Sequence, residues 1–218
     1  MNNTLLELST EQIIPQGIID VENYLKDYRY EMSSSFQDGR IDSAVNEAKI
    51  LSIIAQRFTI DIPRAREWYD FLLEDNGEIY PINIKITDTN HADNLSCKLG
   101  IYYALTGKAP DMPNEVGWLT YFERLRTNLG YIKDKNYYFL IINKTNHLDV
   151  FSNALKNLST LVSNGNNLPF QCKWNTNRVP INRTFEESVS FILKSFSESI
   201  KLRSEIYFNF KKYFAEYV

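Results

Sequence analysis

Three polar side chains interrupt the apolar stretch of residues 69–86, which reads YDFLLEDNGEIYPINIKI. Asp70 precedes the first apolar run, and Asn83 and Lys85 lie within the second. The Asn-Gly pair between the runs favours the positive φ values of a tight hairpin. Alternate residues of a strand share a face, so Asn83 and Lys85 should point the same way, with Asp70 brought alongside by the hairpin. The spacing therefore predicts one polar patch on a mostly apolar sheet.

Phosphodiester hydrolysis is the chemistry that such a patch could perform. It needs a divalent cation held by hard oxygen ligands, and a positive charge near the attacking water. Oxygens of Asp70, Asn83 and the backbone of Ile84 would hold Mg²⁺, and Lys85 would orient or deprotonate the water. The alternative interpretation is a structural Asp70–Lys85 ion pair on an exposed sheet face.

The composition sets bounds on the class of protein. The chain has 218 residues, 44% of them hydrophobic, and a formal net charge of −3, so a polyanion would need a local basic cleft. Cys97 and Cys172 are predicted to be free thiols, because neither they nor the two histidines show zinc-ligand spacing. No secretory signal or membrane span is apparent, which predicts a cytoplasmic protein without a membrane partner.

The first half of the chain predicts helices around a hairpin. Residues 1–40 should form helical turns and a polar loop, SSSFQDGR. A helix should follow to about Phe58, capped by Asp42 or Ser43. Residues 67–73 and 79–87 should be the strands of the hairpin, with a turn at 75–77.

The second half predicts three further helices and two strands. The first helix should be capped by Asp93 or Asn94 and end at Gly107. Helices are also expected at 114–130 and 149–161, a buried strand at 136–143 and a shorter strand in NLPFQCKWN. Thr184 should cap a long last helix. This order predicts an α/β (α+β mixed) fold, a central mixed β-sheet flanked by helices.

The residues of the hairpin resemble the PD-(D/E)xK nuclease superfamily, whose core is an acid on one strand and a carboxylate-x-Lys on the next. The chain is most similar to the EcoRV and HincII branch of type II restriction endonucleases. Twelve residues separate Asp70 from Asn83, a spacing similar to that of HincII. The similarity extends over roughly residues 43–210, through NLSCKLGIYYALTG, SNGNNLPFQCKWN and NRTFEESVSFILKSFSESI.

The resemblance implies a restriction-endonuclease-like fold and Mg²⁺-dependent, sequence-specific cleavage of double-stranded DNA to 5′-phosphate ends. It implies one endonuclease domain over residues 1–218, with a helical dimerisation segment at 1–42 and the catalytic core at 43–218. A homodimer would read a palindromic site that a cognate DNA methyltransferase protects. Where the family has Asp or Glu this chain has Asn83, a weaker ligand. Glu47 is the candidate second acid, although it could equally be a solvated helix residue. Glu74 and Glu78 are the alternatives, but their places near the turn favour solvent-facing side chains.

Two polar loops and two arginines are candidates for DNA contacts. Asn side chains can pair with adenine, and glycine lets backbone amides approach base edges. The loop after the catalytic strand could instead be a plain connection, SNGNN a plain turn, and the arginines solvated. The candidates are Thr87, Thr89, Asn90, His91, Asn94, Ser163, Asn164, Gly165, Asn166, Asn167, Arg178 and Arg183.

Two other functions remain open at this stage. One is a DNA-binding module that has kept the nuclease scaffold without cutting, and Asn83 favours it. The other is a repair or recombination nuclease without strong site preference.

Overall fold

The computed structural model describes residues 13–28, 39–64 and 67–218. Its helices are α1 (Gln16–Asp27), α2 (Gly39–Ile54), α3 (Lys98–Thr106), α4 (Trp118–Asn128) and α5 (Phe185–Tyr213). Its strands are β1 (Ile60–Asp61), β2 (Phe71–Asp75), β3 (Glu78–Thr87), β4 (Ala92–Leu95), β5 (Tyr138–Asn143), β6 (Asn146–Ala154) and β7 (Phe170–Lys173). Short 3₁₀ turns cover Leu155–Asn157, Trp174–Asn177 and Ala215–Tyr217.

The strands form two sheets. The larger is five-stranded in the order β1-β2-β3-β5-β6, and β4 and β7 form a two-stranded sheet. Within the larger sheet β3 and β5 run parallel and the other neighbours are antiparallel. Helices flank this mixed sheet, which confirms the predicted α/β fold class.

The sheet separates two apolar cores, one on each face. Ile82 and Ile84 of β3 lie in the core that α1 and α2 cover. Phe139 and Ile141 of β5 lie in the other core, with residues of α3, α4 and α5. Because β5 is covered on both faces, its near-continuous apolar run is that of a central strand.

Three local predictions are confirmed. The hairpin turn has Asn76 at φ 52° and Gly77 at φ 80°, the positive values of a two-residue turn. Gly107 ends α3 in the left-handed conformation, at φ 69°. Thr184 caps α5 in a capping box with Glu187.

The helix predicted at 149–161 is wrong. This segment forms most of β6, which pairs antiparallel with β5 through partners such as Ile142 with Val150 and Tyr138 with Ala154. The spacing of its apolar residues fits either a helix or a strand. The segment is a strand because it pairs with β5.

Three predicted element starts are also wrong. Asp93 and Asn94 do not cap α3, because they lie in β4, paired with Cys172 and Gln171 of β7. Asp42 and Ser43 lie within α2, which begins at Gly39, so neither is its cap. The first hairpin strand begins at Phe71 rather than at residue 67, which leaves Asp70 just outside it.

The N-terminal segment is described only in part. Residues 1–12 and 29–38, including most of SSSFQDGR, lie outside the described residues. Helix α1 confirms helical turns at 16–27 and buries Ile18, Val21 and Leu25 within the chain. The dimerisation role of residues 1–42 stays a prediction.

Cys97 and Cys172 are free and buried, as predicted. Among the described residues, none of the helices is both long and apolar enough to cross a bilayer.

Candidate active site

The β2–β3 hairpin opens at the end where the polar side chains lie. Phe71 is the first residue of β2 and pairs with Ile82, whereas β3 continues to Thr87. The Asp70 backbone N–H still donates to Ile82 O at 2.9 Å. Asp70 Oδ2 then accepts the Ile84 backbone N–H at 2.6 Å. The Asp70 carboxylate thus accepts a backbone N–H of β3 beyond the point where β2 ends, and this hydrogen bond holds the carboxylate against β3.

The predicted catalytic residues converge on one cavity of about 250 Å³ beside this opening. Alternation along β3 buries Ile82 and Ile84 on one side of the sheet and turns Asn83 and Lys85 to the other. Helix α2 adds Glu47 from the neighbouring layer. The lining residues are Glu47, Asp70, Asn83, Ile84, Lys85, Ile86, Thr87 and Asp93.

Of the three acids that line the cavity, Glu47 and Asp70 have raised pKa values. Burial raises the pKa of Glu47 to about 7, helped by the Asp70 charge and opposed by Lys85. Burial also raises the pKa of Asp70, while the Ile84 N–H and Lys85 act to lower it. Neighbouring acids with raised pKa values are a frequent mark of functional sites. A bound cation would relieve the repulsion between them.

Lys85 stands between the acids and the second sheet. Its ammonium Nζ donates to Asn94 O at 3.4 Å. Among the ion pairs of the described residues none joins Lys85 to Asp70. The alternative of a structural ion pair is therefore not what the structure contains. The Lys85 side chain keeps donor capacity for a group in the cavity.

A larger cavity of about 440 Å³ adjoins the first, since Asn83 and Lys85 line both. Trp68, Trp118 and Lys98 are among its other walls. Lys98 donates to Val116 O at 2.8 Å and lies over the Trp118 ring, 4.7 Å from its centroid. The two cavities together give space for a substrate beside the carboxylates, with cations on its walls.

Asn83 occupies the position between the two cavities. Burial raises the pKa of the Tyr137 phenol well above its usual value, and a hydrogen bond that the Asn83 side-chain amide donates to the hydroxyl acts to lower it. The Tyr137 hydroxyl itself donates to Trp68 O at 2.6 Å. The Asn83 amide oxygen is left as the atom that could face a cation.

The oxygen donors fit a hard divalent cation. Carboxylates of Asp70 and Glu47, the amide oxygen of Asn83 and the carbonyl of Ile84 are the ligand types that Mg²⁺ accepts, with water completing its shell. Over residues 13–28, 39–64 and 67–218 no three acid, histidine or cysteine side chains group as a metal cluster.

Asp93 is the cavity residue that the sequence reasoning missed as a site residue. It lies on β4, and its Oδ2 accepts the Trp174 indole N–H at 2.9 Å. Strand β4 is only four residues long and offers too little alternation to be recognised. Asp93 reaches the cavity because β4 pairs with the distant β7.

In the loop after β3, some of the residues predicted to contact DNA are exposed and one is buried. Asn90 and His91 are exposed and both bond the Asp88 carboxylate, with His91 Nδ1 at 2.8 Å. Asn94 is exposed, and its side-chain oxygen accepts from Gln171 at 2.7 Å. Thr89 is 1% exposed, so the prediction that its side chain contacts DNA is wrong.

The segment 163–167 lies against α5. Ser163 Oγ donates to Ser195 O, and the Asn164 backbone N–H donates to Ser199 Oγ at 3.0 Å. The Asn164 side chain accepts the backbone N–H groups of Asn166 and Asn167, which is the turn geometry that the alternative interpretation expected. Asn166 and Asn167 are exposed, and a DNA role for this segment stays a prediction.

Arg178 and Arg183, predicted as DNA contacts, both have partners within the fold, and their DNA role stays a prediction. Arg178 forms a bidentate ion pair with Asp149, both distances 2.7 Å, and lies over the Phe151 ring. Arg183 donates to the carbonyls of Lys156 and Leu158 and lies over Phe191. Both guanidinium groups are used within the fold, where the sequence suggested free surface arginines.

Comparison with known proteins adds no family: no family model matches the chain, and no curated protein matches it. The functional interpretation therefore depends on the residues and the geometry of the cavity.

Proposed function

We propose that the chain is a Mg²⁺-dependent, sequence-specific DNA endonuclease of restriction type that acts in the cytoplasm. The observation that supports it most is the convergence of Glu47, Asp70, Asn83 and Lys85 on one cavity. Glu47 lies on α2, Asp70 directly precedes β2, and Asn83 and Lys85 lie on β3. No packing requirement brings two acids, an amide and a lysine together in this way, whereas phosphodiester hydrolysis uses all four.

Each residue has a distinct part in the proposed reaction. Asp70, Asn83 and the Ile84 carbonyl would hold the cation, with Glu47 as the auxiliary acid. Bound Mg²⁺ would supply positive charge against the scissile phosphate. Lys85 would donate hydrogen bonds to the attacking water and to the charge that develops on phosphorus.

The bond changes balance with water as the only co-reactant. The water oxygen bonds to phosphorus in line with the leaving group, and the bond from phosphorus to the 3′ oxygen breaks. Glu47, which lines the same cavity, would accept the water's proton. Solvent returns a proton to the leaving oxygen, which gives a 5′-phosphate and a 3′-hydroxyl.

The proposed endonuclease function also implies two partners, a second copy of the chain and a methyltransferase. A homodimer would place two such sites about the axis of a palindromic DNA site, and a cognate methyltransferase would protect that site in the host. Affinity for DNA has to come largely from phosphate contacts. A chain with a net negative charge must therefore place Lys and Arg side chains where the DNA binds.

Incubation of plasmid DNA with Mg²⁺ tests the proposal. Discrete fragments would support it, and the Lys85→Ala variant should lose cleavage while keeping DNA binding. Lys194→Ala, an exposed lysine in the first half of α5, is the matched control and should cut normally. Cleavage by the Lys85→Ala variant at the control's rate would show that the site is misplaced.

A second candidate function is a DNA-binding module that does not cut. The neutral Asn83, at the position where the nuclease family has an acid, favours it. A gel shift without cleavage at any Mg²⁺ or Mn²⁺ concentration would decide for it. Smearing or nicking that depends on DNA structure would instead indicate a repair nuclease.

A further inference from the structure

A further cavity, of about 420 Å³, lies at the end of β3 away from the candidate active site. Its walls include the first residues of β3 and β5, whereas residues 83–87 of β3 line the catalytic cavity. It shares no lining residue with either of the two cavities described above. We call it the lysine cavity, after Lys133, Lys135 and Lys156 in its walls.

Lys156 gives the lysine cavity a buried positive charge. The residue lies in the 3₁₀ turn after β6 and is only 7% exposed. Its ammonium Nζ donates to Lys133 O at 2.7 Å and lies over the Phe185 ring, 5.6 Å from its centroid. Across the described parts of the chain no carboxylate lies within ion-pair distance of it. A buried ammonium is normally paired with an anion, and this one lines a cavity instead.

The burial of Lys156 has an electrostatic cost. Burial lowers the pKa of Lys156 to about 8, while the charge of Asp134 acts to raise it. At pH 7 the ammonium is still mostly protonated, and it has three N–H donors for one acceptor among the described residues. An anion in the cavity would accept hydrogen bonds from Lys156 and offset the cost of its burial.

Arg183 and the first turn of α5 form another wall of the cavity. Arg183 Nη1 donates to the carbonyls of Lys156 and Leu158. Within residues 13–28, 39–64 and 67–218 its Nε and Nη2 have no hydrogen-bond acceptor. Helix α5 begins two residues later at Phe185, and the partial positive charge of its N-terminus adds to that of the guanidinium. This wall therefore favours an anion as well.

Lys133 and Lys135 stand at the rim of the cavity. Lys133 pairs with Glu186 at 2.7 Å and Lys135 with Glu78 at 2.6 Å. The four side chains are between 32% and 69% exposed. Ion pairs that are this accessible to water contribute little, so either lysine can turn to a ligand at low cost.

The charged lining residues leave a surplus of two positive charges. Four are cations and two are acids, namely Lys133, Lys135, Lys156, Arg183, Glu78 and Asp134. The sum stays positive even if Glu186, which pairs with Lys133 from outside the lining, is included. The whole chain has a formal net charge of −3, so the sign is reversed locally. A phosphate monoester carries about −1.5 to −2 charges at neutral pH and three strong acceptor oxygens, which matches this surplus.

We propose that the lysine cavity binds a small phosphate monoester, with Lys156 and Arg183 as its inner cations. Tyr80 and Tyr138 line the same cavity in edge contact, with ring centroids 5.7 Å apart, and would pack against the organic group of the ester. The volume of about 420 Å³ is that of a small-molecule site and is too small for a duplex. This inference goes beyond the proposed function and does not depend on DNA cleavage.

Calorimetric titration of the full chain without Mg²⁺ tests the proposal, with 5′-AMP, ribose 5-phosphate and adenosine as probes. Both phosphate esters should bind, and adenosine should bind at least about 10-fold more weakly than 5′-AMP, because it lacks the charged group. The tighter of the two esters shows whether the organic group is a flat ring or a sugar.

Lys156→Met keeps the length of the side chain and removes its charge. It should weaken binding of 5′-AMP about 10-fold or more, the effect of losing a hydrogen bond to a charged group. Lys144→Met is the matched control, because Lys144 is exposed in the turn between β5 and β6 and should bind 5′-AMP as the wild type does. Lys135→Gln, at the rim, should weaken binding about 2- to 5-fold.

Unfolding in urea separates a loss of binding from a loss of folding. Without a ligand, Lys156→Met should be at least as stable as the wild type, since it removes a buried charge that has no ion-pair partner among the described residues. Added 5′-AMP should shift the wild-type and Lys144→Met transitions to higher urea concentration and leave that of Lys156→Met in place.

Three outcomes would overturn the proposal. The first is that adenosine binds as tightly as 5′-AMP, or that no probe binds at millimolar concentration. The second is that Lys156→Met binds 5′-AMP as tightly as the wild type. The third is that the esters bind only after deletion of residues 1–12, which directly precede Ile13 in the cavity wall. Glu7 or Glu11 of that segment would then be the anion of the intact chain.

Discussion

Asp70 shows at the scale of one residue how a side chain serves both the fold and the site. One carboxylate oxygen accepts the Ile84 backbone N–H, at a point on β3 that β2 does not reach. The other oxygen is left for the cavity. The pKa of Asp70 is nonetheless raised, because burial outweighs that hydrogen bond and the charge of Lys85. Asn83, as a neutral neighbour, adds no further negative charge to a cavity that Glu47, Asp70 and Asp93 already line.

Asn83→Asp tests this balance. The new carboxylate adds an anionic oxygen ligand, so we expect Mg²⁺ affinity to rise about 10-fold or more, as it does with the ligand charge of a hard-cation site. Calorimetric titration with Mg²⁺ measures it. Asn182→Asp, at an exposed position away from the cavity, is the control and should leave the affinity unchanged. An unchanged affinity in both variants would place the cation elsewhere.

Glu47 predicts a pH dependence of stability in the metal-free protein. Its pKa rises from 4.5 to about 7 on folding, so the folded state favours the protonated acid. This contribution is complete below pH 4.5 and is lost as the pH rises through 7. In Glu47→Gln the loss of urea stability over this range should be smaller than in the wild type. Glu123→Gln, exposed on α4, should follow the wild-type curve.

The hairpin is the element that assembles the site. Its tight turn fixes the register of β2 on β3. Because β2 begins only at Phe71, opposite Ile82, the edge of β3 beyond Ile82 is left open beside Asp70. The parallel neighbour β5 holds the other edge of β3 through pairs such as Asn83 with Phe139. The site therefore depends on a turn at the far end of the two strands.

Gly77→Ser tests the turn. A Cβ at Gly77 would contact nothing within 4 Å, so the cost comes from its φ of +80° and should be about 1 kcal/mol of unfolding free energy. Gly117 also faces open space, but at φ −61° as the N-cap of α4. Gly117→Ser should therefore be neutral or slightly stabilising in urea unfolding. Equal losses in both variants would contradict a conformational cause.

At the scale of the whole molecule, both sheets and helix α2 contribute to the walls of the cavity. The β4–β7 sheet brings Asp93 to it, and the segment before β7 lies on α5. A Cβ on Gly165 would lie 2.8 Å from the Arg203 backbone nitrogen, closer than such atoms approach. The glycine is thus needed for close packing of segment 163–167 on the helix.

Gly165→Ala should separate this segment from α5. We expect a loss of about 1–3 kcal/mol in unfolding free energy, the range for overpacking against an unyielding backbone. If the segment reads DNA, cleavage at low salt should persist with weaker discrimination between sites. Gly117→Ala, without a clash, should cost only a few tenths of a kcal/mol. Thermal unfolding and a cleavage assay on related sites measure the two effects.

Local signals in the sequence predicted the elements whose stability is local. The Asn76-Gly77 turn, the Gly107 helix end and the Thr184 capping box each depend on one or two residues and their backbone angles. The alternation of Ile82, Ile84 and Ile86 likewise indicated which face of β3 is buried. The segment 149–161 failed because only its pairing with β5 makes it a strand.

The sequence by itself determined that Asp70, Asn83 and Lys85 share one side of a hairpin, because a two-residue turn and strand alternation leave no other arrangement. Only the tertiary structure decided that Glu47 and Asp93 join them, since α2 and β4 reach the cavity through packing with distant segments. It also decided that Arg178 and Arg183 serve the fold, because their partners lie on other elements. Such contacts depend on how separate elements pack against each other. The residue spacing within one element does not determine that packing.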